Sequence, residues 1–137
     1  FSHSYLLWDE AAQLAEKGGT RAATTGMTRI YYNRGLALMR ENFLPNAIED
    51  FNRTISIKPE HVEAYGSRGN AHLKMKAYEA AVADFSSALG RAPGTAKYHL
   101  GKAEALNGLG DFAGARDELS EACALGSALA CKALTGE

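Results

Sequence analysis

Apolar and polar positions alternate with a helical period along most of this chain. Over residues 4–17 the apolar positions form one stripe opposite charged and amide side chains: Leu7, Trp8, Ala11, Ala12, Leu14 and Ala15. The pattern predicts a helix over residues 4–17, ended by Gly18 and Gly19. The following segment, residues 18–26, is rich in Gly and Thr and lacks helical or strand periodicity, so we expect a mobile loop.

From residue 28 onward the pattern repeats itself. Eight residues recur 34 positions later: Tyr31, Arg34, Gly35, Ala37, Ala47, Asp50, Phe51 and Pro59 are followed by Tyr65, Arg68, Gly69, Ala71, Ala81, Asp84, Phe85 and Pro93. A third copy is more divergent. In it Ala103 stands in the place of Gly35 and Gly69, Leu119 replaces the phenylalanine, and Ser127 replaces the proline.

Each copy predicts two helices joined by a tight turn. The predicted helices are residues 28–41 and 45–57, 62–75 and 78–91, then a weaker pair from residue 96 that turns at Gly110-Asp111-Phe112, and a short closing helix over residues 128–134. Pro45 suits a first helical position, where its missing N–H has no partner to lose. Small residues facing large aromatic ones are typical of closely packed helical hairpins.

The fixed period, with small residues, aromatics and a proline at matched places, resembles the tetratricopeptide repeat over residues 28–125. The resemblance implies an all-α, right-handed α-solenoid of about three hairpins, with an extra N-terminal helix and a short C-terminal capping helix. The predicted organisation is an N-terminal helix and flexible linker (1–27) followed by a repeat domain (28–137), with repeats 28–61, 62–95 and 96–127 and a cap 128–137. In this family the first helices line a concave groove that holds segments of partner proteins.

The resemblance also implies which residues face the groove. By position in the repeat they are Arg29, Tyr32, Asn33, Leu36, Met39, Arg40, Glu63, Gly66, Ser67, Asn70, Leu73, Lys74, Lys97, Leu100, Gly101, Glu104 and Asn107. The set mixes an apolar patch with cations and amides that can hydrogen-bond a peptide backbone or carboxylate. It therefore predicts peptide binding, with an aliphatic and aromatic partner segment as the simplest complement.

Chaperone-binding relatives grip a C-terminal carboxylate with Lys, Asn and Arg side chains at five matched places. This chain has Tyr32, Leu36, Ser67, Lys97 and Gly101 there, and only Lys97 fits. The resemblance therefore argues against a chaperone-tail adaptor.

Two alternatives concern the apolar residues. The aromatics at family packing positions are expected to be core: Tyr31, Tyr65, Tyr78, Phe51, Phe85 and Phe112. Leu36, Met39 and Leu73 could instead contact the leading helix, whose own apolar stripe needs cover. That helix could plug the groove, cap the first repeat, or enter the groove of a neighbouring copy and build a homo-oligomer.

Composition narrows the function classes. The 137 residues suit one domain, and 15 cationic against 16 acidic residues give a net charge of −1, which offers no general attraction to nucleic acid. No apolar run approaches the roughly 20 residues that a membrane span needs. The chain opens at Phe1 without an initiator methionine or a signal peptide, so we expect a processed or excised piece.

Two cysteines, Cys123 and Cys131, flank the helix break Gly126-Ser127. They should lie on consecutive antiparallel helices and could meet at disulfide distance. Their spacing resembles that of the cysteine-rich Sel1-like repeat proteins, which are exported and disulfide-bonded. This favours a periplasmic or secreted protein, and a reduced cytoplasmic protein with two small buried residues is the alternative.

The sequence contains no specific catalytic or cofactor motif. His3, His61, His72 and His99 lack the spacing that would place two metal ligands on one helical face, and the run Asp117, Glu118 and Glu121 fits a solvated helix surface. We therefore expect no enzyme, no cofactor and no metal, and a protein segment as the partner.

Overall fold

The computed structural model describes residues 2–18 and 21–136, with all their side chains except those of residues 18 and 21–25. Eight α-helices run through the described residues, and these contain no strand. The helices are α1 His3–Gly18, α2 Arg21–Arg40, α3 Leu44–Ile57, α4 Val62–Lys74, α5 Tyr78–Arg91, α6 Ala96–Gly108, α7 Phe112–Ala124 and α8 Ala128–Thr135. The predicted all-α solenoid is confirmed, with α2–α3, α4–α5 and α6–α7 as its three hairpins.

The predicted helix bounds hold to within one or two residues for all but one helix. The exception is α2, which begins at Arg21 and not at Thr28. The predicted loop is therefore wrong over residues 21–26, which are helical. Ala22 and Ala23 favour helix, and Gly26 destabilises a helix by only about 1 kcal/mol relative to alanine. The Gly and Thr content of this segment is therefore compatible with a helix. Residues 19 and 20 of that predicted loop lie outside the described residues.

In the first two hairpins, small residues bring the two helices together around a phenylalanine. Phe51 is fully buried against Gly35, where a Cβ atom would lie 2.7 Å from the Phe51 Cε1 atom. Phe85 is buried between Gly69 of its own hairpin and Gly101 of the next. These contacts confirm that Phe51 and Phe85 are core residues, and they set how closely successive hairpins stack. The core prediction is wrong for Phe112, which is 70% exposed because it stands at the first position of α7, directly after the turn.

The turn inside each hairpin uses a residue with positive φ at the same place in the repeat. Asn42, Lys76 and Gly110 have φ angles of 64°, 59° and 82°. Their spacing of 34 residues gives three similar turns, so the three hairpins share one geometry.

An ion pair joins the two helices of every hairpin, again with a period of 34 residues. Arg34 Nε donates to Asp50 at 2.7 Å, Arg68 Nη2 to Asp84 at 2.7 Å, and Lys102 Nζ to Glu118 at 2.9 Å. Asp50 and Asp84 are buried. Hydrogen bonding to Asp50 raises the pKa of the Arg34 guanidinium, so this guanidinium stays charged.

Helix α1 lies antiparallel along α2 and caps the first repeat. Glu16 accepts a hydrogen bond from Tyr31 at 2.6 Å, Asp9 pairs with Arg34 at 3.2 Å, and Ser4 accepts from Arg40 at 3.2 Å. In this structure α1 therefore covers the end of the solenoid and does not plug its own groove. At the other end, α8 packs against α7. No helix within the described part of the chain is long and apolar enough to cross a membrane.

Candidate functional site

The first helices of the three hairpins, α2, α4 and α6, border three adjoining cavities. Their volumes are about 160, 340 and 400 Å³. Asn70 of α4 lines all three, so they form one continuous groove. We refer to them as the first, second and third cavities of the groove.

The first cavity lies where α2, α4 and α6 meet. Gly66 leaves room for the ring of Tyr98, which fills the space that a side chain on α4 would occupy. The Tyr32 and Ser67 hydroxyl oxygens are 3.2 Å apart, and Lys97 Nζ lies 5.2 Å from the centre of the Tyr98 ring. Burial raises the pKa of both Tyr32 and Tyr98, so both present neutral phenols near neutral pH.

The second and third cavities continue the groove toward the C-terminal end. Met39, Leu73 and Lys74 border the second cavity, and Glu104 borders both. The third cavity reaches from Leu100 on α6 to Leu129 on α8. The groove therefore alternates apolar surface with charged and amide groups, and this mixture can hold an amphipathic chain segment.

Thirteen of the seventeen residues predicted to face the groove line these three cavities: Tyr32, Met39, Glu63, Gly66, Ser67, Asn70, Leu73, Lys74, Lys97, Leu100, Gly101, Glu104 and Asn107. None of the three is bordered by Arg29, Asn33, Leu36 or Arg40. Arg40 donates to Ser4 of α1. Leu36 and Tyr5 of α1 both pack against the buried cluster around Phe51, so Leu36 lies in the region that the leading helix covers.

Six residues that line the groove were not among those predicted to face it: Phe85, Tyr98, Ala103, Leu119, Leu129 and Ala133. Tyr98 has no aromatic counterpart in the other two copies. The sequence feature that points to Tyr98 is Gly66. Glycine is smaller than Tyr32 and Leu100, which stand at the same repeat position, so it leaves space on α4 for a ring from a neighbouring helix. Leu129 and Ala133 lie on the closing helix, which the pattern predicted only as a cap.

Cys123 of α7 and Cys131 of α8 are joined by a disulfide, with their Cα atoms 4.8 Å apart. The expected placement on consecutive helices is confirmed. The bond attaches the short helix α8 to the body of the solenoid, beside the third cavity.

One residue of the acidic run on α7 and two of the histidines belong to ion pairs of the hairpins, whereas Asp117 and Glu121 are exposed, as expected. Glu118, expected on a solvated surface, is instead half-buried and accepts from His99 at 2.6 Å and from Lys102. His72 pairs with Asp84 at 2.7 Å. Across residues 2–18 and 21–136, no group of three or more His, Cys, Asp or Glu side chains is placed to bind a metal ion.

Comparison with known proteins identifies the repeat. The sequence model of the tetratricopeptide repeat matches residues 32–96 and 67–130, which together span well over half of the chain. A curated relative is the DnaJ homolog subfamily C member 7 homolog of Dictyostelium discoideum, 34% identical over 61 residues. That match covers 44% of this chain and 11% of the relative, so the chain corresponds to a small part of that protein.

Solved structures share the fold. MamA from Desulfovibrio magneticus has a TM-score of 0.74 at 18% identity, covering 97% of this chain and 82% of that one. The Arabidopsis OM64 repeat domain has a TM-score of 0.77 at 18% identity, covering 82% and 94%. The second repeat domain of human RPAP3, solved with an HSP70 peptide, has a TM-score of 0.77 at 23% identity, covering 82% and 96%. At these identities the likeness is one of fold.

Proposed function

This chain belongs to the tetratricopeptide repeat family, and on that premise we propose that it is a noncatalytic protein-interaction module. Its groove along α2, α4 and α6 holds an extended or helical segment of a partner protein. The observation that carries this proposal is the continuity of the three cavities, which share Asn70 and alternate apolar with polar walls.

The charges that line the three cavities favour a partly apolar segment with side chains of both signs. Two cations, Lys74 and Lys97, accompany two carboxylates, Glu63 and Glu104. Met39, Leu73 and Leu100 supply apolar contact between these charges. A segment with acidic and basic side chains beside leucine- or phenylalanine-like ones complements both features.

Peptide binding by structural neighbours supports this proposal. The repeat domains of human RPAP3 and yeast Sti1 were solved with Hsp70-derived peptides. In this chain, however, the Tyr32 and Ser67 hydroxyls lie within hydrogen-bond distance of each other at two of the five places where chaperone-binding relatives hold a carboxylate. We therefore propose an internal segment of the partner as the ligand, and not its C-terminal carboxylate.

The test is to select peptides from a random library displayed on phage, with the disulfide-bonded chain as the target, and to measure their affinity by calorimetry. Lys74→Glu and Asn70→Ala alter two exposed groove residues and should each weaken binding about tenfold or more. The matched control Lys58→Glu makes the same charge change outside the groove and should leave the affinity within about twofold. Equal affinity for all variants would overturn the proposal.

A second function is favoured by one observation, the exposed leucines of α1. Leu6, Leu7 and Leu14 remain more than half exposed after α1 has packed on α2. In this alternative, α1 of one copy enters the groove of a neighbouring copy and builds a homo-oligomer. Sedimentation velocity should then show a concentration-dependent assembly that Leu7→Glu/Leu14→Glu dissociates, whereas a monomer at every concentration would exclude it.

We also propose that the protein works in an oxidising compartment, periplasmic or extracellular, because disulfides persist there. The Cys123–Cys131 bond supports this proposal. A thiol count on protein from its native cell should find no free thiol before reduction and two afterwards. Two free thiols at the start would favour the cytoplasmic alternative.

A further inference from the structure

The third cavity of the groove is walled on one side by α8, a helix that no sequence argument assigned to binding. Its base is formed by α6 and α7 through Leu100, Gly101 and Leu119, and its far wall by Leu129 and Ala133. The cavity measures about 400 Å³ and shares Asn70, Lys97 and Glu104 with the rest of the groove.

The two faces of α8 have different surroundings. Ala130 is buried and Cys131 is bonded to Cys123, so that side of the helix is fixed against α7. Leu129 and Ala133, one helical turn apart, border the cavity instead. Leu129 is 69% exposed, so its contact with water would be removed by a ligand that fills the cavity.

The position of α8 depends on few contacts. The helix has eight residues, well below the length at which an isolated helix is stable in water. Ala130 is its one fully buried residue, and the Ser127 hydroxyl caps its first turn by accepting from the Ala130 amide at 3.2 Å. The disulfide is therefore the strongest constraint that keeps Leu129 facing α6.

We propose that α6 and α8 form an apolar subsite of the groove, clamped by the Cys123–Cys131 bond. It accepts one large apolar side chain, such as that of leucine, methionine or phenylalanine, from the partner segment. This inference rests on the proposed function, because the subsite continues the groove that would hold the rest of the segment. Lys97 and Glu104 on its rim fit a segment that is polar on either side of that apolar residue.

A double-mutant cycle tests the subsite, with the peptides selected on the disulfide-bonded chain as probes. Leu129→Ala should weaken the selected peptide about tenfold. It should have no further effect on a peptide whose apolar residue is replaced by alanine. Leu109→Ala is the matched control, since Leu109 is an exposed leucine in the turn after α6 that borders none of the three cavities, and it should leave the affinity unchanged.

The clamp is tested with the same peptides on Cys123→Ser/Cys131→Ser. This variant should lose affinity as Leu129→Ala does, and only for the peptide that retains its apolar residue. Circular dichroism should first show that the repeats of this variant are still folded. If they are folded, unchanged affinity would overturn the clamp. If the variant is unfolded, the same measurement is made on the wild-type chain under mild reduction.

The two levels of inference fail in different ways. Sensitivity to Lys74→Glu without sensitivity to Leu129→Ala overturns the α8 subsite and leaves the groove in place. Insensitivity to both substitutions overturns the proposed function and the subsite together.

Discussion

At the scale of single residues, the fold depends on glycines that let a phenylalanine ring lie directly on a helix backbone. Gly35 faces Phe51 and Gly69 faces Phe85, and both rings are almost completely buried. Because these rings have no free space into which to move, the glycines are required for packing and not for backbone freedom. Glycines in open surroundings, such as Gly90, have no such role.

Gly35→Ala and Gly90→Ala should therefore have opposite effects. At Gly35 the new Cβ would meet Phe51 at 2.7 Å, and we expect the free energy of unfolding to fall by about 1–3 kcal/mol. At Gly90, where a Cβ meets nothing within 4 Å, alanine should raise it by about 0.5–1 kcal/mol. Urea unfolding measures both, and a stabilising Gly35→Ala would contradict the packing described here.

The ion pairs differ in burial, so removing the cation should have unequal costs. Asp84 is 5% exposed, whereas Glu118, its counterpart 34 residues on, is 17% exposed, and each keeps a histidine partner. Arg68→Met should destabilise by about 3 kcal/mol, because it leaves a buried carboxylate short of a cation. Lys102→Met should cost about 1 kcal/mol or less. Chemical denaturation measures the loss of unfolding free energy in each variant, and equal losses would contradict the role of burial.

At the scale of elements, most helices follow the repeat period but the two end helices do not. Helices α3 to α7 begin and end where the period predicts, because each must pack against two neighbours at fixed residues. Helix α1 packs on α2 alone, and α8 packs on α7. The end helices therefore have fewer packed neighbours than the hairpin helices, and α8 depends most on its disulfide.

Reduction of the disulfide should loosen α8 while the first two hairpins stay folded. A closed loop of this size contributes about 2–3 kcal/mol. Hydrogen exchange of the amides of Cys131 and Lys132 should accelerate on reduction, with no change for Phe51 or Phe85, since hairpins in a solenoid contact only their neighbours. Uniform acceleration along the chain would show that α8 is part of one global folding unit.

The third hairpin should lose stability in acid. Burial raises the pKa of Glu118, but hydrogen bonds from His99 and Lys102 outweigh it and hold the pKa below its usual value of 4.5. A carboxyl with a lowered pKa in the folded state stabilises it above about pH 4.5, and that contribution disappears as the pH falls through the folded pKa. The free energy of unfolding, measured from about pH 6 to about pH 3, should fall less steeply for Glu118→Gln than for the wild type. Parallel curves of free energy against pH would contradict this.

At the scale of the whole molecule, repetition explains how much the sequence could predict. The period fixed the order and bounds of the hairpins, because Gly35, Phe51 and their counterparts determine packing locally. The repeat resemblance also predicted thirteen of the residues that line the groove. It could not predict Tyr98 or Leu129, because their positions depend on a neighbouring helix, and it missed the helical start of α2, where local composition indicated a loop.

The central claim is that a partner segment binds along the groove shared by the three cavities. Asn70 borders all of them, so its side-chain amide is the most direct reporter. Titrating a selected peptide into ¹⁵N-labelled protein should shift the Asn70 side-chain resonance, together with those of residues on α4 and α6 that face the groove. Saturable binding that leaves Asn70 unchanged and shifts residues of α3, α5 or α1 would contradict the claim.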